Sequence, residues 1–228
     1  MKRNVILLFL LLPMMLVAQN LQFHYDFGKD RKYVTTTLEM FKPDKWGSTY
    51  FFVDYDYNYG KDNHPSGTYM EISRALKFWN GPISAHVEYN GGFGSYPVGS
   101  AQYAYPINNA WLFGANYDIH NADFSKTFTI EAMYKHIVGK QESVQLTAVW
   151  GLNFWKRKVT LSGFADFWVE DNTNSNGVKT TTTFISEPQF WYNVTPKLSL
   201  GSEIEISNNF AGHDGFMVNP TLAAKWNF

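Results

Sequence analysis

The sequence predicts an all-β chain, a transmembrane antiparallel β-barrel of about 12 strands, and three observations carry that expectation. The first is alternation. In "STYFFVDYDYNY", residues 48–59, Phe51, Val53, Tyr55, Tyr57 and Tyr59 share one parity, while Tyr50, Phe52, Asp54, Asp56 and Asn58 share the other. That is the period-2 pattern of a strand with two unlike faces. The second is composition: 18% of the residues are aromatic and only 17% are charged, which suits a barrel that turns aromatics toward lipid and interfacial girdles. The third is length. The alternating runs extend over about 9–12 residues, the span of a tilted strand across a bilayer, whereas strands of soluble sandwiches average about 5–6.

The ends of the chain fit this setting. Lys2 and Arg3 precede an apolar run from Val5 to Val17, broken only by Pro13, and Ala18 precedes a plausible cut. Residues 1–18 are therefore expected to be a secretory signal peptide and 19–228 the barrel. Beyond Gln19 no window approaches the ~20 apolar residues of a membrane-spanning helix. At the other end Leu222, Ala224, Trp226 and Phe228 share one parity. A terminal aromatic of this kind resembles the signal that outer-membrane proteins present to the barrel assembly machinery, so that machinery is an expected partner through Phe228. Membrane lipids and lipopolysaccharide are the others, and the expected location is the outer membrane of a Gram-negative bacterium.

From the N-terminus the segments follow in order. "LQFHYDFG" places Leu21, Phe23, Tyr25 and Phe27 outward and His24 and Asp26 inward; "YVTTTLEMF" places Glu39 inward. The strand at 48–59 follows, then "TYMEISRALKFW", "ISAHVEYN" and "AWLFGANYDI", the last two separated by the Gly/Tyr/Pro-rich stretch 91–108, expected to be a long loop. "TFTIEAMYKHIV", "SVQLTAVWGLNF" and "VTLSGFADFWVE" continue the alternation. In "VKTTTTFISEPQFWYNV" Pro188 predicts an irregularity near Glu187. "LSLGSEIEIS" and "FMVNPTLAAKWNF" close the count. The odd-numbered connections include the longer ones and the even-numbered ones the short links "NGP", "WKRK" and "TPK", the expected asymmetry between outer loops and periplasmic turns. "KPDKWGS" and "HNADFSK" are longer than that rule prefers.

With aromatics on lipid, the inward set collects carboxylates and rings. The expected solute contacts are His24, Asp26, Glu39, Tyr50, Phe52, Asp54, Asp56, Glu71, Arg74, Glu88, Phe164, Asp166, Trp168 and Glu203. A barrel of this size is wider than one filled by its own side chains and narrower than an open porin, so one small polar solute at a time is the expected cargo. Strict alternation would turn Arg74 to lipid when Glu71 faces in. A charge at mid-membrane costs about 2–4 kcal/mol, so a bulge near Ser73 that makes Glu71 and Arg74 lumen partners is expected.

Other chemistries find little support. The chain has no cysteine, which removes disulfides, thiolate catalysis and sulfur-ligated metals. A formal charge of −1 without a basic run argues against nucleic acid. The six histidines lack metal spacing along the chain, so no metal, cofactor or catalytic residue is expected and the chain is read as a non-enzyme. The alternatives are a phospholipase-like enzyme, with His136 and Ser143 across a hairpin as its one weak hint, or a structural or adhesive barrel using residues 91–106.

Three motifs, Phe-Lys-Pro-Asp-Lys-Trp-Gly at 41–47, Phe-Phe-Val-Asp at 51–54 and Glu-Ile-Ser-Arg at 71–74, resemble the Tsx-like nucleoside-specific channel family, in a branch of unassigned function. The resemblance covers most of the chain in strand count and size, although its specific motifs all precede Trp79. It implies a monomeric twelve-stranded barrel that passes nucleosides through weak sites in a narrow lumen.

Overall fold

A single antiparallel sheet closes on itself through β1 (Ala18–Asp26), β2 (Val34–Asp44), β3 (Gly47–Tyr57), β4 (Pro65–Leu76), β5 (Ile83–Val98), β6 (Ala101–His120), β7 (Lys126–Ile137), β8 (Ser143–Phe154), β9 (Val159–Thr173), β10 (Lys179–Ser186), β11 (Gln189–Asn193), β12 (Leu198–Asn208) and β13 (Phe216–Asn227). The structure, a computed structural model, describes residues 18–29, 31–57, 65–99, 101–173 and 177–228. Residues 1–17 of the expected signal peptide lie outside the described residues, as do Asn58, Tyr59 and His64.

Each strand pairs with the next, and β13 returns to β1 with Leu21 opposite Trp226. β10 and β11 both lie between β9 and β12, so they are two halves of one strand and the barrel has 12 staves. The interruption falls at Glu187 and Pro188, where the sequence predicts it. Register survives it: Ser186 pairs with Ala165 and Gln189 with Ser162, so no residue is inserted. Pro188 therefore falls opposite Gly163, which adopts φ +147°. A proline inside a sheet has no N–H to give to the ladder, and a glycine facing it allows close backbone approach.

The exterior is apolar. Phe23, Tyr25, Leu38, Tyr55, Ile72, Phe113, Ile130, Leu146, Leu200 and Leu222 are exposed on the outward parity of their strands. Trp46, Trp79, Trp155 and Trp226 gather at the rim that carries the chain ends, with Tyr117, Tyr192 and Phe228. The interior is largely the reverse: Gln22, His24, Ser84, Asn90, Lys135, Gln145, Ser199, Glu205 and Asn219 are buried, beside a small apolar cluster of Ala110, Leu112, Met133 and Ile137 on β6 and β7. Polar groups inside and greasy groups outside would be unstable in water, where burial of apolar area drives folding. They suit a tube in lipid, where closure also pairs every edge strand. The protein is thus a transmembrane β-barrel of the outer-membrane type.

Connections at the rim of the chain ends are tight, which identifies the periplasmic side. The stretch 41–47, expected to be a long turn, pairs as far as Asp44 opposite Gly47, so only Lys45 and Trp46 turn. At the other rim, residues 91–108 differ from the expected loop. β5 and β6 stay paired out to Val98 opposite Ala101, with a register shift between Asn90 and Gly92. Glycine and proline signalled a loop, but Phe93, Tyr103 and Tyr105 keep strand alternation. A two-stranded ribbon beyond the barrel has free edges, where Pro106 is tolerated.

Candidate solute path in the lumen

The inner wall is uneven. On β5 and β7 the inward residues Ser84, His86, Glu88, Asn90, Glu131 and Lys135 are buried, and on β1 so are Gln22, His24 and Asp26. On β2, β3, β4 and β9 the inward residues Glu39, Tyr50, Phe52, Asp54, Asp56, Tyr69, Glu71, Ser162, Phe164 and Asp166 remain partly exposed. Side chains from one wall fill part of the cross-section, and water reaches the rest along the other.

Neutral donors on neighbouring strands hold the carboxylates of the wet wall. Thr35 Oγ1 donates to Asp56 Oδ1 at 2.6 Å and Thr37 Oγ1 to Asp54 Oδ1 at 2.5 Å. Glu39 accepts from Asn20 Nδ2 at 2.8 Å and from the Tyr50 hydroxyl at 3.2 Å. The Tyr69 hydroxyl donates to Glu71 at 2.7 Å, Thr147 Oγ1 to Asp166 at 2.6 Å and Gln189 Nε2 to Glu203 at 2.6 Å. These bonds follow from register: Thr37 sits directly opposite Asp54, and Thr35 opposite Asp56. Hydrogen bonds of this kind fix rotamers while leaving other lone pairs for a solute.

Rings alternate with these acids. Phe52 lies 6.2 Å from Tyr50 and 6.0 Å from Tyr69, centroid to centroid. Tyr69 and Gln189 were missed by sequence reasoning, although their parity with Glu71 and Glu187 was visible. The cations are mostly spoken for. Arg31 bridges Asp26 (3.1 Å) and Glu205 (2.8 Å), and Lys140 meets Glu170 at 3.2 Å, both near the outer mouth. Lys135 lies 3.9 Å over the Trp168 ring, and Lys225 lies 4.0 Å over Trp191. In this segment of the lumen, Asp54, Asp56, Glu71 and Glu203 have neutral donors and, among the described residues, no arginine or lysine within ion-pair distance.

Residues 18–228 match a family described as "Domain of unknown function (DUF5020)". The chain belongs to the DUF5020 family. No curated protein matches it in sequence. Among solved structures this DUF5020 barrel is similar to the NanC porin, at 11% identity and a TM-score of 0.59, over 92% of this chain and 100% of that one. It is also similar to the KdgM porin, at 10% identity and a TM-score of 0.50, over 92% and 99% of the two chains. At such identities the likeness is one of fold.

Most expected solute contacts of the DUF5020 barrel do face the lumen, and one does not. Arg74 lies on the outer face. The β3–β4 and β4–β5 registers run without a shift past Ser73, so the expected bulge is absent and Glu71 and Arg74 point to opposite sides. Arg74 avoids the mid-membrane penalty by position instead. It sits two residues from the periplasmic end of β4, where its guanidinium donates to both oxygens of Asp44 at 2.7 and 2.9 Å and to Thr49 at 3.0 Å. Trp168 faces in, but Lys135 covers one face and Phe210 meets the ring edge-on at 6.1 Å. Buried His24 bonds to Gln22 at 2.9 Å and to Thr221 at 3.2 Å.

The enzyme hint dissolves as well. Ser143 pairs with Lys135 on the lumen parity, so it faces away from His136. His136 meets Glu142 at 2.7 Å at the outer rim, and Tyr134 donates to the same carboxylate. Those bonds from Tyr134 and His136 hold the Glu142 carboxyl below its ordinary range.

Proposed function

We propose that this barrel is a passive outer-membrane channel for small polar solutes, with nucleosides as the favoured class. The observation that carries the proposal is the wet strip on β2, β3 and β4, where Tyr50, Phe52 and Tyr69 alternate with Glu39, Asp54 and Glu71. A planar base can lie against a ring while its amino group and the ribose hydroxyls donate to fixed carboxylates. The resemblance of residues 41–47, 51–54 and 71–74 to Tsx-like channels supports the same class. One stack at about 1–3 kcal/mol and two net hydrogen bonds at about 1 kcal/mol each sum to about 3–5 kcal/mol. That corresponds to a dissociation constant on the order of millimolar, weak enough to release solute toward either side.

Liposome swelling with the purified protein tests this reading. Nucleosides should enter faster than sugars or amino acids of similar size. Equal rates for all three would end the nucleoside assignment while leaving a channel, and no swelling with any of them would end the channel as well.

A further inference from the structure

On the dry wall, which adjoins the strip described above through the β4–β5 pairing, three buried polar atoms have no hydrogen-bond partner among the described residues: Ser84 Oγ, His86 Nδ1 and Asn116 Oδ1. They belong to neighbouring inward positions of β5 and β6, for Ser84 pairs directly with Asn116 and Asn116 with Glu131. Leaving a buried donor or acceptor unpaired costs about 1–3 kcal/mol, so a cluster of them asks for a missing partner.

The groups around them are ligand types. His86 Nε2 lies 3.1 Å from Glu88 Oε2, and His86 Nδ1 lies 3.8 Å from Glu131 Oε1, too far for a hydrogen bond. One donor atom from each of His86, Glu88 and Glu131 can be chosen so that all lie within 4.8 Å of one another. All three side chains are buried, His86 at 3% exposure. The backbone makes the meeting possible. β5 and β7 are separated by β6, about 9–10 Å across two strand spacings, and the residue of β6 opposite His86 is Gly114. A Cβ there would press on the backbone of Ala132 and Met133, so the glycine lets β7 close in on β6 beside Glu131.

We propose that His86, Glu88 and Glu131 form a binding site for a divalent transition-metal cation, with the carbonyl oxygen of Asn116 beside it. One imidazole and two carboxylates suit Zn²⁺ and its neighbours, and the two carboxylates balance its charge inside the wall. The bound ion ties β5 to β7 across β6 and gives the unpaired atoms a polarising partner. The site does not rest on the solute proposal, although it takes Glu88, one of the expected solute contacts, into the buried wall.

The test uses the full barrel folded in detergent, titrated with Zn²⁺ alone by calorimetry, with Co²⁺ absorption as a spectroscopic check. One equivalent should bind. Glu131→Gln and His86→Gln should each weaken binding more than about tenfold, the scale set by losing even an outer partner of a metal site. His136→Ala, which removes the exposed His136–Glu142 pair, should leave it unchanged. Each variant is first checked for the gel shift between folded and heat-unfolded barrel. If Glu131→Gln folds and binds as the parent does, or if the parent takes up no ion, the proposal is overturned. Loss of binding in His136→Ala alone would assign the ion to the rim and overturn it too.

Discussion

Replacing Gly163 by alanine should destabilise the barrel strongly. Two separate costs combine. Gly163 adopts φ +147°, a region nearly closed to residues with a Cβ, and holding one there costs about 1–3 kcal/mol. The new methyl would also press on the Glu187 carbonyl oxygen and lie 2.9 Å from Pro188 Cα. Both are backbone atoms of the interrupted strand and can yield only if that strand moves, an overpacking cost of about 1–3 kcal/mol. Together the loss is about 2–6 kcal/mol. Gly151→Ala on β8 is the control, since its methyl would meet only the Thr127 hydroxyl, at 2.9 Å, in a side chain that can rotate. Urea unfolding in detergent, followed by tryptophan fluorescence and extrapolated linearly, gives the difference. A Gly163→Ala barrel within about 1 kcal/mol of the Gly151→Ala barrel, near the uncertainty of such extrapolations, would refute the idea that glycine is required opposite Pro188.

Three further outcomes follow from the lumen. In planar bilayers under a salt gradient the reversal potential should show cation preference, because Asp54, Asp56, Glu71 and Glu203 are held by neutral donors; Asp54→Asn with Glu71→Gln should shift it toward zero. Phe52→Ala removes the ring between Tyr50 and Tyr69 and should slow nucleoside entry in the swelling assay severalfold, while sugar entry stays level or rises. Arg74→Ala should leave single-channel conductance unchanged, since Arg74 pairs with Asp44 outside the lumen; a conductance change would place the guanidinium within reach of the ion path.

How much of this was legible in the chain depends on whether the signal was local. Period-2 alternation is local, so Glu39, Asp54, Asp56, Glu88, Asp166 and Glu203 were assigned to the lumen by parity alone and lie there. The break at Pro188 was legible because proline forfeits an N–H wherever it stands. Arg74 departs from the expectation because the alternation runs unbroken past Ser73. Alternation placed it outside, and depth along the strand, which sequence does not reveal, made that position affordable. The stretch 91–108 differs from the expected loop because glycine and proline interrupt strands in closed sheets but are tolerated in a two-stranded ribbon with free edges. The meeting of His86 and Glu131 was invisible for a different reason. It joins strands two places apart across Gly114 and needs a register that only the folded barrel supplies.

The division of the lumen into a filled wall and a wet one has a consequence for how charge is arranged along the path. Cations occur where the wall is packed or at the outer mouth: Lys135 over Trp168, Lys225 over Trp191, Arg31 between Asp26 and Glu205. The acids of the wet strip are instead satisfied by hydroxyls and amides, which fix their geometry without neutralising them. A lysine or arginine in their place would compete with any incoming donor and would turn a transient site into a closed salt bridge. Threonine opposite aspartate, repeated at Thr35–Asp56 and Thr37–Asp54, therefore keeps the carboxylates both stationary and available. That combination favours solutes that donate hydrogen bonds or carry positive charge, and it disfavours anions along the same strip.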